Sequence, residues 1–245
     1  MVLGLDRKTA TEYSFFAAIP VLCAASLWAL KESYPYLHGA HVTHYQPAGD
    51  APMLFTSASS RFQAGQPIRG GVPIVFPWFG PCREDASAPM HGFARVAEWH
   101  LTAAQQEAEG SVVLTLGVDD TLATHAVWPH AYTATVTIRI GATLDMALDI
   151  ANRSDRPVVY EEALHTYLAV RDIGAVAVRG LAGLAYIDKT DGMRRKVQES
   201  DPLRIAGETD RVYLGARDAC IVEDAAAGRR LVVKQRGSET TVVWN

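Results

Sequence analysis

Four short segments of the sequence combine residue types that suit acid–base chemistry or the binding of a small anion. The densest runs from Arg69 to Pro81 and reads RGGVPIVFPWFGP. Two glycines beside an arginine let the backbone approach a ligand closely, while the prolines and aromatic rings form a stiff wall. Such walls suit the apolar faces of sugars, but a proline-rich turn in the core would have the same composition.

Each of the other three segments carries a titratable group. His91 and Arg95 lie in HGFAR, and Asp210 lies in ETDRVY. His165 is the single histidine of the run EALHTYL, which suits a strand. A histidine among apolar neighbours is either a satisfied core residue or an acid–base group, since the pKa of histidine lies near working pH. On the residues alone, Asp210 fits a salt-bridged strand end equally well.

Charge and cysteine usage exclude several classes of protein. The 245 residues include 23 lysines and arginines against 27 aspartates and glutamates, a formal net charge of −4. This balance argues against an extended nucleic-acid surface, although a local pair of arginines is enough for a small anion. The cysteines Cys23, Cys82 and Cys220 are too few and too far apart for a disulfide framework or a C-x-x-C metal site, and they suit the cytoplasm.

The histidines at 38, 41 and 44 recur at every third position, a spacing that suggests metal ligands. On a strand this spacing alternates faces, and Gly39 and Pro47 disfavour a helix that would align the three side chains. We therefore expect no metal site and no other cofactor.

The elements that must position these residues are predicted to be short strands. Alternating or apolar runs separated by turn residues cover 112–118, 132–140, 144–150, 175–180 and 231–235. Residues 101–110 have a helical composition, but between two such runs they favour a loop or strand edge. This pattern predicts an all-β protein, an antiparallel sandwich or barrel, in a single domain over 1–245.

Residues 14–30 carry no charge over 17 positions, which is borderline for a membrane span or the apolar part of a signal peptide. Pro20 lies in the middle of the run, and the acidic Asp6 and Glu12 lie beside the basic pair that precedes it. The run therefore favours a buried pair of strands, and we expect no membrane association.

Taken in order, six strings resemble the hexose-6-phosphate mutarotases, the glucose-6-phosphate 1-epimerase branch of the aldose 1-epimerase superfamily. They are the segment 69–81, HGFAR with the following Glu98-Trp99, 163–167, YIDK at 186–189, 208–213 and VVWN at 242–245. The resemblance implies a large antiparallel β-sandwich of the galactose-mutarotase type. It also implies interconversion of the α and β anomers of a hexose 6-phosphate, chemistry that needs an acid, a base and no cofactor or metal.

The resemblance also implies roles for individual residues. His165 would be the general acid at the ring oxygen, and His91 would contact that oxygen or a neighbouring hydroxyl. Asp210 would accept hydrogen bonds from sugar hydroxyls. Arg69 and Arg95 would hold the phosphate, whose oxygens match the guanidinium fork.

The sequence departs from the family at its end. The family's general base is a glutamate on a strand that follows the VVWN string, which here ends the chain at Asn245. Glu161 shares the strand face of His165, but four residues place it about 13 Å along the strand. Two functions stay open: a mutarotase whose base lies elsewhere, and a sugar-phosphate-binding relative with impaired catalysis. A monomer is expected if the chain is complete, and self-association through the edge at Val242 and Val243 if it is not.

Overall fold

The structure, a computed structural model, describes residues 36–245. The chain divides into two compact units, the first ending at Leu168 and the second comprising Ala169–Asn245. The stretch at 14–30 lies outside the described residues, and so does its predicted pair of strands. Among residues 36–245, no helix has the length and hydropathy needed to cross a membrane.

The first unit is built on an antiparallel sheet with the strand order β1-β3-β4-β5-β6, together with a small pair formed by β2 and β7. Its helix α1 (Leu122–Val127) begins at Thr121, whose side chain and that of Thr124 form a reciprocal capping box. The strands are β1 (Tyr36–His38), β2 (Ile74–Val75), β3 (Glu98–Gln106), β4 (Val112–Asp119), β5 (Tyr132–Ile140), β6 (Leu144–Asn152) and β7 (Ala163–Leu164).

Strand β5 shows why the alternating runs form strands. Its residues from Tyr132 to Ile140 are buried at every second position, while the intervening threonines are half-buried and Arg139 is exposed. All nine residues of β5 pair with β6, and eight pair with β4. This period of two puts one face into the core and confirms the predicted strand.

The helical composition of 101–110 does not produce a helix. These residues supply much of β3, which lies between β1 and β4 and changes register between Leu101 and Ala103. Trp99 and Leu101 are buried on one face, and packing of this face overrides the local helix propensity. Residues 101–106 are therefore part of an internal strand rather than a strand edge, while 107–110 form the loop before β4, as expected.

The core of the first unit contains a cluster of aromatic rings around Phe76. Its ring centroid lies 5.3 Å from that of Tyr132, 5.4 Å from Trp128 and 6.2 Å from Phe93, in edge-to-face arrangements. Such geometry aligns the positive ring edge with the negative ring face. The segment 69–81 is therefore anchored through the middle of its sequence.

The second unit contains two antiparallel four-stranded sheets, with the orders β10-β9-β12-β15 and β11-β8-β13-β14. Short 3₁₀ turns occur at Ile173–Ala175, Lys189–Asp191 and Ala225–Ala227. The strands are β8 (Val176–Arg179), β9 (Ala185–Asp188), β10 (Arg194–Val197), β11 (Leu203–Arg204), β12 (Asp210–Leu214), β13 (Cys220–Asp224), β14 (Arg229–Val233) and β15 (Thr240–Trp244).

Candidate active site

The pairing of β2 with β7 brings two of the predicted segments together. Ile74 pairs with Leu164 and Val75 with Ala163. The ladder continues beyond these strands, because the His165 N–H donates to the Pro73 carbonyl at 3.0 Å. His165 therefore lies beside the segment 69–81 and is held there by its backbone.

Gly70 and Gly71 have positive φ values of 115° and 64° and lie against neighbouring backbone. A Cβ at Gly71 would lie 2.2 Å from the Val42 carbonyl oxygen, and one at Gly70 would lie 2.4 Å from that of Phe55. Contacts this short exclude any side chain at either position. The glycines therefore let the chain turn beside Arg69 while it stays packed on the core.

The side chain of His41 holds this turn through a hydrogen bond to the backbone of Gly70. It is buried, and its Nε2 lies 2.6 Å from the Gly70 carbonyl oxygen, to which it donates. Burial lowers the pKa of His41 to about 4, and the charges of His38 and Arg95 act in the same direction, against the opposing effect of the Gly70 hydrogen bond. The ring is therefore neutral near pH 7. His38, three positions earlier, also contacts a backbone carbonyl oxygen, that of Gln66 at 2.7 Å.

The backbone of Arg69 is fixed on both sides. Its N–H donates to the Ser60 hydroxyl at 2.8 Å, and the Ser60 hydroxyl donates to the Arg69 carbonyl oxygen at 2.8 Å. The Ser57 N–H donates to the same carbonyl at 2.9 Å. Arg69 is itself exposed, so a fixed backbone carries a guanidinium that faces solvent.

The HGFAR segment packs directly on Phe76. Gly92 forms a parallel bridge with Phe76, and a Cβ at Gly92 would lie 1.9 Å from the Phe76 carbonyl oxygen. Arg95 follows within the 3₁₀ turn Ala94–Val96. The HGFAR segment therefore lies against the segment 69–81.

His91 adopts a left-handed backbone conformation, with φ of 64°, that non-glycine residues seldom adopt. Its N–H donates to the Gly80 carbonyl at 2.7 Å, and the Gly80 N–H donates to Nδ1 of the ring at 3.0 Å. Because a backbone amide only donates, Nδ1 must be the unprotonated nitrogen of the ring. The neutral imidazole therefore carries its proton on Nε2.

The two histidine rings lie next to each other. Their centroids are 6.0 Å apart with an interplanar angle of 28°. Phe79 lies edge-on to His91 at 5.0 Å, and Tyr167 lies edge-on to the half-buried His165 at 4.8 Å. A row of four rings therefore crosses the site.

Arg69, Arg95 and Tyr167 interact electrostatically with one another. Burial lowers the pKa of Arg95, Tyr167 acts against this effect, and the charge of Arg69 adds to it. Burial raises the pKa of Tyr167, and both arginine charges lower it. Tyr167 was missed as a site residue, although it follows His165 by two positions and the strand alternation predicts a shared face.

The carboxylates on the segment before His165 have other surroundings. Glu161 accepts a hydrogen bond from the Phe79 N–H at 2.9 Å, and its carboxylate lies 3.8 Å from Arg83. Its own N–H donates to the Pro77 carbonyl, four ladder positions from the Pro73 contact of His165. Burial raises the pKa of Glu162, which has the opposite strand parity to His165.

Asp210 belongs to the second unit, at the start of β12 opposite Trp244 of β15. Its carboxylate lies 2.7 Å from the ammonium of Lys189, so Asp210 forms the salt-bridged strand end that its residues alone allow, with a partner that was not predicted. The YIDK string contained the signal, since its lysine follows a strand that pairs with β12. Within residues 36–245, no group of three or more histidine, cysteine or acidic side chains is arranged to hold a metal ion.

Comparison with known proteins identifies the family. Residues 35–245 match the family described as Aldose 1-epimerase. The chain belongs to the aldose 1-epimerase family. Over 209 residues it is 36% identical to the "Putative glucose-6-phosphate 1-epimerase" of Escherichia coli K12, an alignment that covers 85% of this chain and 69% of that protein. A protein of the same name from Salmonella typhimurium is 34% identical, with the same shares covered.

Solved structures of related proteins confirm the all-β, galactose-mutarotase-type fold of this family member. A "putative mutarotase (YeaD)" from Salmonella typhimurium superposes with a TM-score of 0.79 at 33% identity, covering 85% of this chain and 68% of that one. A galactose mutarotase-like protein from Clostridium acetobutylicum, at 13% identity and a TM-score of 0.68, shares the fold, with 86% of this chain and 78% of that one covered. Membership of this family confirms that the chain is an isomerase.

A short part of the chain also matches proteins of a different family. Over 37 residues the chain is 51% identical to "Undecaprenyl-diphosphatase 2" of Paramagnetospirillum magneticum, which covers 15% of this chain and 14% of that protein. This share is too small to assign the chain to that second family.

Proposed function

We propose that this aldose 1-epimerase family member interconverts the α and β anomers of a hexose 6-phosphate, with glucose 6-phosphate as the substrate. The observation that carries the substrate class is the electrostatic coupling of Arg69 and Arg95 beside the His91–His165 pair. Two cations that interact with each other close to a pair of imidazole rings suit an anionic group on the sugar. The names of the relatives from Escherichia coli and Salmonella typhimurium support the same substrate.

The reaction needs one proton removed and one delivered. A base takes the proton of the C1 hydroxyl, the C1 oxygen forms the aldehyde carbonyl, and the bond between C1 and the ring oxygen breaks. His165 donates a proton to the ring oxygen as that bond breaks, so the leaving oxygen becomes a hydroxyl. The aldehyde rotates about the C1–C2 bond, and the reverse steps close the ring on the other carbonyl face.

His91 binds rather than transfers a proton in this scheme. The Gly80 N–H occupies Nδ1, so the ring presents an Nε2–H donor to a sugar oxygen. A fixed donor holds the sugar in one orientation without changing its own protonation state. The ring stack with His165 supports contact of both side chains with one substrate.

Arg69 and Arg95 bind the phosphate through charge-assisted hydrogen bonds. The lowered pKa of Arg95 reflects a partly desolvated cation that the charge of Arg69 disfavours further. An anion relieves both effects, because it compensates the desolvation and neutralises the repulsion. Each such hydrogen bond should contribute about 1.5–3 kcal/mol to binding.

In the second unit, the ammonium of Lys189 lies 2.7 Å from the Asp210 carboxylate and orients it. The base is not drawn from the segment before His165. Glu161 already accepts the Phe79 N–H, and Glu162 has the opposite strand parity. We further propose that the protein acts in the cytoplasm, where the buried thiols of Cys82 and Cys220 stay reduced.

Magnetisation-exchange NMR on the 245-residue chain tests the proposal, because it measures anomer interconversion at equilibrium. We expect enzyme-dependent exchange for glucose 6-phosphate, and kcat/KM at least tenfold higher than for glucose. Equal values for the two sugars would overturn the phosphate assignment. An absence of enzyme-dependent exchange for both sugars would overturn the anomerase activity.

A further inference from the structure

Tyr167 is fixed beside the turn that carries Arg69. Its N–H donates to the Gly71 carbonyl oxygen at 2.8 Å, and its carbonyl oxygen accepts from the Phe55 N–H at 2.9 Å. The Gly71 N–H donates in turn to the Phe55 carbonyl oxygen at 2.7 Å. These bonds use only the backbone, so they fix the position of Tyr167 whatever its side chain does.

The side chain of Tyr167 contacts the acid and interacts with the charges of the arginine pair. Strand alternation gives Tyr167 the same face as His165, and the two rings meet edge-on at 4.8 Å. The phenol also interacts with the charges of both Arg69 and Arg95. The residue is half-buried, so it is partly accessible to a ligand.

The chemistry of a phenol fits this position. Guanidinium groups only donate hydrogen bonds, and fully ionised phosphate oxygens only accept them. A tyrosine hydroxyl does both, so it can accept from an arginine and donate to a phosphate oxygen at the same time. Burial keeps the phenol protonated, and the hydroxyl therefore retains the hydrogen that it would donate.

We propose that Tyr167 is a third ligand of the substrate phosphate, donating its hydroxyl to a phosphate oxygen beside Arg69 and Arg95. This inference rests on the proposed function and deepens it. Because the ring of Tyr167 also packs against His165, the residue sets the distance between the phosphate and the acid. Tyr167 thus favours a sugar whose phosphate lies at that distance from its ring oxygen.

Binding of a sugar that cannot open tests the assignment without reference to activity. The probes are 1,5-anhydroglucitol 6-phosphate and unphosphorylated 1,5-anhydroglucitol, which lack the C1 hydroxyl and cannot form an aldehyde. Calorimetry on the full chain compares wild type with Tyr167→Phe, which keeps the ring contacts and removes only the hydroxyl. We expect Kd for the phosphorylated probe to rise about tenfold and Kd for the other probe to stay unchanged.

Tyr45→Phe is the matched control, because the Tyr45 hydroxyl donates to the Gly141 carbonyl at 3.0 Å and has no part in the proposed site. It should leave Kd unchanged for both probes. Equal weakening of both probes by Tyr167→Phe, or no weakening of either, would overturn the role of Tyr167 alone. If wild type itself bound the two probes equally, the phosphate site of the proposed function would fall, and this inference with it.

Discussion

His91 and His165 are neighbours in the site, but their hydrogen bonds prepare them for different tasks. The Gly80 N–H donates to Nδ1 of His91 and keeps that nitrogen unprotonated, so the ring always donates from Nε2. His165 is held by its backbone N–H on Pro73, and its ring packs between His91 and Tyr167. The residue that transfers a proton is thus positioned by its backbone and by the packing of its ring.

Replacement of His165 tests whether this residue, rather than His91, transfers the proton. His165→Asn should lower the rate of anomer exchange at least a hundredfold, because loss of one acid–base group costs about 10²–10⁴ in rate. Thermal unfolding should change little, since the backbone bond to Pro73 remains. His100→Asn, on the exposed side of β3, is the control. NMR exchange at wild-type rates in His165→Asn would remove this residue from the mechanism.

Arg95 differs from Arg69 in its burial, and this difference makes it the sharper test of phosphate binding. Arg95→Gln should raise KM for glucose 6-phosphate at least tenfold and leave KM for glucose within about twofold, because one charge-assisted bond is worth about 1.5–3 kcal/mol. The exposed Arg153→Gln should alter neither value. Steady-state kinetics on both sugars measures the effect, and a parallel rise in the two KM values would contradict the assignment.

At the scale of elements, close backbone approach rather than regular strand pairing assembles the site. β2 and β7 have only two residues each, and single bridges such as Phe76 with Gly92 do the rest. Glycines are necessary where backbones meet at such distances. The arrangement of the site segments therefore depends on glycines, which contribute no side chain to the chemistry.

Gly92→Ala tests this dependence, because its Cβ would lie 1.9 Å from the Phe76 carbonyl oxygen. Gly65→Ala is the matched control: its φ of 73° is similar to the 76° of Gly92, but nothing lies within 4 Å of its Cβ. The control should lose about 1 kcal/mol from the left-handed backbone alone. Gly92→Ala should lose at least about 2 kcal/mol more by urea denaturation. Equal losses would show that the Phe76 contact is relaxed without cost.

Local patterns explain what the sequence predicted at this scale. The alternation of Tyr132–Ile140 is local, so β5 was found with its bounds. The helical composition of 101–110 is also local, but burial of Trp99 and Leu101 overrides it. The role of His41 under Gly70 depends on a contact between residues 29 positions apart, which no local pattern contains.

At the scale of the whole molecule, groups with lowered pKa values link stability to pH in two windows. In the first unit, burial lowers the pKa of His41 from 6.5 to about 4. In the second, hydrogen bonds from Lys196 and Thr190 to Asp188 lower the pKa of that carboxyl from 3.8 to about 2. Protonation of either group favours the unfolded chain, which binds the proton at the higher pH.

The free energy of unfolding should therefore fall as pH decreases from about 6.5 to about 4, with a contribution from His41 on the order of 3 kcal/mol. His41→Gln retains a donor for the Gly70 carbonyl but does not titrate, so it should lose this contribution to the pH dependence and keep the remainder from His44 and His130, whose pKa values burial also lowers. Asp188→Asn should be less stable than wild type above about pH 4, with the same slope there, and should lack the further loss of stability that wild type shows as pH decreases from about 4 to about 2. Urea denaturation at intervals of half a pH unit measures all three curves. Identical slopes for wild type and His41→Gln between pH 6.5 and 4 would mean that His41 is not held neutral under the glycine turn, and its support of the arginine segment would have to be withdrawn.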